Sequence, residues 1–459
     1  MTSATHRDAE QIGRTATGPR QLPALGEQRP PAELSHTDTV LGNGLRVLAA
    51  RKPTVPMVEL RLSIPFAGDD PSHPATAEVL AETMLTGTKR RDRIAIDTEL
   101  ALIGGDLGTV VDPEHLSVSG SALASGLPTL LDVLADVLTE AVHTDGEVGR
   151  EAERIVERLA VARTQPRVIA REALQRRRYG DHPYTREVPR PEDVAAVTPE
   201  AVRLLHARAV LPGGSTLVIV GDIDTDAVIG EVERALGSWR GDGEAKRLAE
   251  LPDLTPGDLL LVGRTGAVQS QLRLSAQAVP RTDPRYPAVQ LANLTFGGYF
   301  SSRLVENIRE DKGYTYGAHS GFEFTGQKAT LQVEADTASE VTAAALLETR
   351  YELGRLGLVP PTDADVEAVR QYAIGSLLIS SSSQTGLANQ LSALTDVGLG
   401  AQWLTSHPDR LARVTTEEVA QAALEFFAPS RFTGVVVGDA EVLAPQLLAL
   451  GDVTVEGAS

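Results

Sequence analysis

"ELRLS", Glu59 to Ser63, returns 212 residues further on as "QLRLS", Gln271 to Ser275. Five residues alone would be a weak repeat, but the residues beyond them repeat as well. Asp70-Pro71 answers to Asp283-Pro284, and Pro74-Ala75 to Pro287-Ala288, each pair opening a helical pattern. Further on, "VTPEAV" from Val197 matches "VTTEEV" from Val414, and "VIVGD" from Val218 matches "VVVGD" from Val435. The offset drifts only from 212 to 217. Strings kept in one order at a nearly constant offset mark a duplicated domain.

Within each copy two periods alternate. "MVELRLSI" (57–64) and "QLRLSAQA" (271–278) read as strands with one buried face. "ASGLPTLLDVLADVLTEAV" and "EVGREAERIVERLAVAR" read as amphipathic helices. The expected fold class is α+β: two similar domains, each a mainly antiparallel sheet covered on one face by helices. Pro, Gly, Thr and charge without apolar periodicity make residues 1–35 an expected disordered arm. The first domain is expected over 36–240 and the second over 259–459. Between them "RGDGEAKRLAELPDLTPGD" carries the linker, 241–258.

Composition narrows the function. The chain has 459 residues, 42% apolar and 23% charged, which is a globular composition long enough for two cores. A formal charge of −19 argues against nucleic acid as partner. No apolar run approaches the roughly 20 residues a membrane helix needs. The opening "MTSATHRDAEQIGRTATGPR" lacks the apolar stretch of a secretory signal, so the cytoplasm is expected and no membrane. Absence of cysteine excludes disulfides, thiolate metal sites and cysteine nucleophiles. The serines of "SGSAL" and "SSSSQTG" lack a G-x-S-x-G turn, and "GNG" (Gly42 to Gly44) lacks phosphate-loop spacing and reads as a hairpin turn. His182 in "GDHPY" has the residue type of a base, but a loop histidine before proline is more often structural.

One stretch fits none of these classes. "NIREDKGYTYGAH", Asn307 to His319, looks like a helix end turning into a strand, with Arg309 and Tyr316 seven residues apart. With "TVLGNGLRVLAA", "YGDHPYTREV" (Tyr179 to Val188) and "LTFGGYFSSRLVENIREDKGYTYGAHSGF", the chain resembles the pitrilysin/insulinase zinc metallopeptidases, especially the small bacterial members and mitochondrial processing peptidase. The resemblance covers nearly all the chain after the arm. It implies two duplicated domains closing as a clamshell over an extended peptide.

The family's catalytic motif is H-x-x-E-H on a helix, two histidines binding zinc and a glutamate polarising water. Counted back from Gly87-Thr88, it falls on "EVLAE", so the histidine positions are Glu78 and Glu82 and the base position is Ala81. The third ligand position falls at Arg158, or with a one-residue shift at Glu157; an arginine cannot ligate zinc. A His73, Glu78, Glu82 cluster could hold a hard cation only weakly, and an exposed carboxylate pair is the plainer reading. In active members an arginine and a tyrosine of the second domain hold the peptide and the oxyanion of the intermediate, and Arg309 and Tyr316 resemble that pair. A guanidinium offers five donors and a phenol one. Some members divide the work between two similar subunits. The resemblance therefore implies a non-catalytic, substrate-binding subunit, with no cofactor on this chain, zinc on a homologous partner subunit in a heterodimer, and a peptide as substrate. The alternative is a structural subunit like the core proteins of respiratory complexes, which has no use for Arg309 and Tyr316.

Overall fold

The turn at "GNG" closes the edge of the first sheet. β1 (His36–Val40) and β2 (Arg46–Arg51) pair antiparallel across it. Gly44 there takes φ = +90°, a conformation that side chains resist. Asn43 pins the turn to the body by donating its side-chain N–H to the Leu236 carbonyl at 2.8 Å. The structure, a computed structural model, describes residues 34–456 except 242 and 327. The arm expected over 1–35 lies, but for its last two residues, outside the described residues.

β3 (Met57–Pro65), β4 (Asp106–Val111), β5 (His115–Leu123) and β6 (Thr216–Gly221) complete a six-stranded sheet in the order β1-β2-β6-β3-β5-β4. β7 (Leu259–Gly263), β8 (Gln269–Gln277), β9 (Thr315–Thr325), β10 (Lys328–Ala338), β11 (Thr433–Gly438) and β12 (Val453–Glu456) form a second, ordered β12-β7-β11-β8-β10-β9. The five strands from β2 to β4 and from β7 to β9 follow one plan. In each the first pair is parallel and the rest antiparallel. "ELRLS" lies in β3 and "QLRLS" in the equivalent β8, so the repeat marks a duplicated sheet. Only the outer edge differs. β1 joins by a hairpin, whereas β12 arrives from the chain's end and runs parallel to β7.

The strands differ from the one-buried-face reading. β6 and β11 are buried at nearly every residue, and so is β8. One face of the first sheet meets its own helices, with Val47, Leu60, Leu62 and Ile219 in that core. The opposite face, Leu48, Ala50, Val218 and Val220, is covered by Leu387, Ala388, Leu391 and Leu394 of the helix Gln384–Asp396, which belongs to the second half. The exchange is reciprocal. Ala170, Ala173 and Leu174 of the helix Pro166–Tyr179, from the first half, cover Val435 and Val437 of the second sheet.

Polar residues on the covered face are paired, which is why their alternation reads as exposure. The Glu59 carboxylate accepts from Thr385 Oγ1 at 2.7 Å, and Arg61 Nε donates to Asn389 Oδ1 at 2.7 Å. Gln384 Nε2 donates to the carbonyls of Lys52 and Val55. The segment from Arg240 to Asp258 contains no helix or strand among the described residues. Leu251 and Leu254 in it are buried, and His182 holds Ala249 through its ring. From Leu34 onward the chain forms one compact unit that includes both sheets. No helix among the described residues is long and apolar enough to cross a membrane.

Candidate functional site

The helix His73–Thr83 starts with proline in its first turn and buries Val79, Leu80 and Thr83 against the first core. Its outward face carries Glu78 and Glu82, four residues apart and so side by side. The neighbouring helix Asp145–Ala162 presents Arg154 and Arg158 with the same spacing. The Arg158 guanidinium bridges the pair, with Nη2 at 2.6 Å from Glu78 and Nη1 at 2.8 Å from Glu82. Arg154 reaches the other oxygen of Glu82 at 2.5 Å and Glu151 at 2.6 Å. The structure thus brings three of the four motif positions together. It is Arg158 that joins the two glutamates; Glu157 is exposed and makes no ion pair among the described residues.

Each carboxylate here already accepts from a guanidinium, and a guanidinium repels a metal ion. Burial pushes the Glu78 carboxyl above its ordinary pKa, and Arg158 opposes that shift. Ala81, at the base position, is 3% exposed and adds only a methyl to the core, while its carbonyl accepts from Thr109 Oγ1 at 2.6 Å. The His73 ring is tied to the Phe66 carbonyl at 2.8 Å, and burial lowers its pKa. Among the described residues no three histidine or carboxylate groups are arranged to hold a metal ion. The residues present do not fit the zinc site that the motif position implies.

The helix carrying Glu78 and Glu82 is anchored at its end by a histidine pair that sequence spacing could not reveal. His143 Nδ1 lies 2.8 Å from Thr83 Oγ1, and its Nε2 lies 2.8 Å from Nδ1 of His206. His206 Nε2 meets the Leu138 carbonyl at 2.9 Å, so it must donate there. With neutral rings His206 accepts from His143, whose Nδ1 then competes with the Val79 carbonyl, 2.8 Å from Thr83 Oγ1, for the one Thr83 hydroxyl proton. Burial lowers both pKa values, that of His143 to about 3.

Arg309 lies on a π-helical turn, Glu306–Asp311, a wide turn frequent at functional sites. Ile308 buries itself completely and fixes the turn, and Gly313 at φ = +65° turns the chain into β9. The expected helix end leading into a strand is therefore present. The Arg309 guanidinium sits 4.6 Å above the ring of Phe300 and 5.9 Å from that of Tyr316. It also meets Glu310 at 3.5 Å. Tyr316 is 94% exposed and Phe300 64% exposed, so the group is a cation flanked by two rings in solvent. Phe300, overlooked in the sequence, was signalled only by its place in "GGYFSSR". Neither Arg309 nor Tyr316 bonds to Glu78, Glu82 or Arg158 among the described residues.

Beside the motif helix lies an unpaired strand edge. β4 pairs with β5 on one side only, and Thr109 within it bonds Ala81 of the motif helix. Two family descriptions match the chain: "Insulinase (Peptidase family M16)" over residues 46–192 and "Peptidase M16 inactive domain" over 196–372. The chain belongs to the M16 peptidase family. An uncharacterized zinc protease of Mycobacterium tuberculosis is 24% identical over 432 residues, covering 92% of this chain and 96% of that protein. Among solved structures, a peptidase M16 inactive domain of Pseudomonas fluorescens superposes with a TM-score of 0.80 at 21% identity. It spans 88% of this chain and 98% of its own. A protease of Helicobacter pylori gives 0.79 at 16% identity, with 88% and 99% covered. Those likenesses establish the M16 fold with its two similar halves.

Proposed function

We propose that this M16 chain is the non-catalytic, substrate-binding subunit of a heterodimeric zinc peptidase. The observation that carries the reading is a contrast within one molecule. The position of the zinc motif is filled by an ion-paired Glu78–Arg158–Glu82 cluster, while Tyr316 stands outward and the half-buried Arg309 beside it has no competing hydrogen-bond partner beyond Glu310 among the described residues. A homologous subunit supplies zinc, and this chain supplies peptide contacts. The open edge of β4 offers main-chain donors and acceptors to an extended peptide, which gives affinity with little sequence preference. Arg309 and Tyr316 donate to the peptide carbonyl as charge develops on its oxygen.

The test is reconstitution with a zinc-bearing M16 subunit from the same source, followed by steady-state peptide cleavage. Arg309→Ala and Tyr316→Phe should each lower kcat/KM on the order of a hundredfold without dissolving the complex, the usual cost of one oxyanion donor. Arg309→Lys should also fail, because an ammonium cannot reproduce the planar fork. Arg303, which donates to the Val359 carbonyl at 2.8 Å, is the control. If the assembled variants cleave at the wild-type rate, the pair is structural and the subunit resembles a core protein instead.

A further inference from the structure

A cavity of about 450 Å³ opens in the second half, between the start of the helix Tyr286–Asn293, the end of Ala401–Arg413 and the flank of Thr416–Phe426. Its floor is apolar: Pro287, Ala288, Val414, Ala422 and Phe426. Its volume is in the range of small-molecule sites, roughly 300–1,000 Å³. Nothing in the proposed peptidase role uses it.

The arginines around it are unequally paired. Arg285 is matched by Asp283 at 2.8 Å and Glu425 at 2.7 Å, and Glu418 is spent on the backbone N–H of Thr415 at 2.8 Å. Arg410 and Arg413 also line the cavity, and neither makes an ion pair among the described residues. Arg410 is held over the ring of Trp403 at 5.1 Å, and its Nε and Nη2 are buried without an acceptor. Burial lowers its pKa, the mark of a cation whose charge is not compensated. In a chain with 62 acidic and 43 basic residues, two arginines three positions apart without an ion pair leave guanidinium groups beside an apolar floor that no carboxylate among the described residues engages.

We propose that this cavity binds an amphiphilic oxyanion: a linear alkyl chain ending in one carboxylate or phosphate, its tail on the apolar floor and its head beside Arg410 and Arg413. The shape of the chemistry selects this class over a peptide. The walls are helices whose interior backbone groups are paired within each helix, so a peptide main chain would enter without partners. An alkyl tail needs none, and its single anion meets both guanidinium groups.

Calorimetric titration of the full-length chain with decanoate, decyl phosphate and decanol, each below its micellar range, tests the proposal. One equivalent of decanoate or decyl phosphate should bind saturably, at least tenfold more tightly than decanol; which anion binds identifies the head group. Arg410→Met, which keeps the stem packed on Trp403, should weaken the anion tenfold or more and leave decanol unchanged. Arg413→Gln, on the surface, should weaken it severalfold and decides the matter if Arg410→Met fails to fold. Absence of saturable anion binding, equal binding of decanol, or indifference to both substitutions would overturn the proposal.

Discussion

Arg158 supplies positive charge between two side chains where the family's pattern calls for a metal between histidines. Its contacts with Glu78 and Glu82 are short, yet all three side chains keep a quarter or more of their surface in solvent. Such partly exposed pairs contribute modestly, so Arg158→Met should cost only about 1 kcal/mol in urea denaturation. A sharper expectation concerns geometry. If these three positions are the family's ligand positions, Glu78→His, Glu82→His and Arg158→Glu together should create a site of two imidazoles and a carboxylate. Elemental analysis should then find about one zinc per chain, against less than stoichiometric zinc in the wild type. A folded triple variant that stays free of zinc would show that the motif was placed on the wrong residues.

At the scale of elements, the exchanged helices decide how the halves hold together. Leu391 is fully buried at the centre of the cluster that Gln384–Asp396 forms on the first sheet. Leu391→Ala should cost about 2–5 kcal/mol, read from the urea midpoint, although the residue lies in the other half of the sequence from the sheet it covers. For the same reason a protease that cuts between Arg240 and Asp258 should leave two fragments that elute together, each retaining the other's covering helix. Separation of the fragments without denaturant would contradict that packing. The elements themselves were legible: "MVELRLSI", "QLRLSAQA" and the two amphipathic helices fall on β3, β8, Leu127–Glu140 and Asp145–Ala162. The exchange was not. Period-two alternation reports polarity, and Glu59, Arg61, Gln271 and Arg273 stay polar while packed against polar partners, those of Glu59 and Arg61 from distant sequence. The site was legible where one short stretch holds it, as with Arg309 and Tyr316. It was hidden where it depends on residues 60 or more apart, as with His143, His206 and Thr83.

For the whole molecule, the buried histidines set a pH dependence of stability. Burial keeps His143 and His206 neutral in the fold. Their pKa values are lowered mainly by burial, that of His143 to about 3, whereas an unfolded histidine titrates near 6.5. Below about pH 6.5 the unfolded chain therefore binds more protons than the folded one, and acid favours unfolding. This stabilisation is complete above about 6.5 and is lost as the pH falls toward 3. His73 and His407, lowered by burial, act in the same direction, and other groups act with the opposite sign. His115 has its pKa raised by Asp112 against the cost of burial, so its contribution is present at low pH and fades as the pH rises. Glu78, Glu114 and Asp396 are raised by burial, and they favour the fold only as the pH enters the carboxylate range. Between pH 7.5 and 5.5 the two coupled histidines, together with His73 and His407, should outweigh His115, and the melting temperature should fall. His143→Asn, chosen because asparagine tolerates the left-handed φ of 42° at this position, should melt lower overall but with a smaller difference between the two pH values. Differential scanning calorimetry at both pH values reads the effect. Equal melting temperatures for the wild type at pH 7.5 and 5.5 would mean that the histidine pair takes up a proton in the fold as readily as in the unfolded chain, and that burial does not hold it neutral.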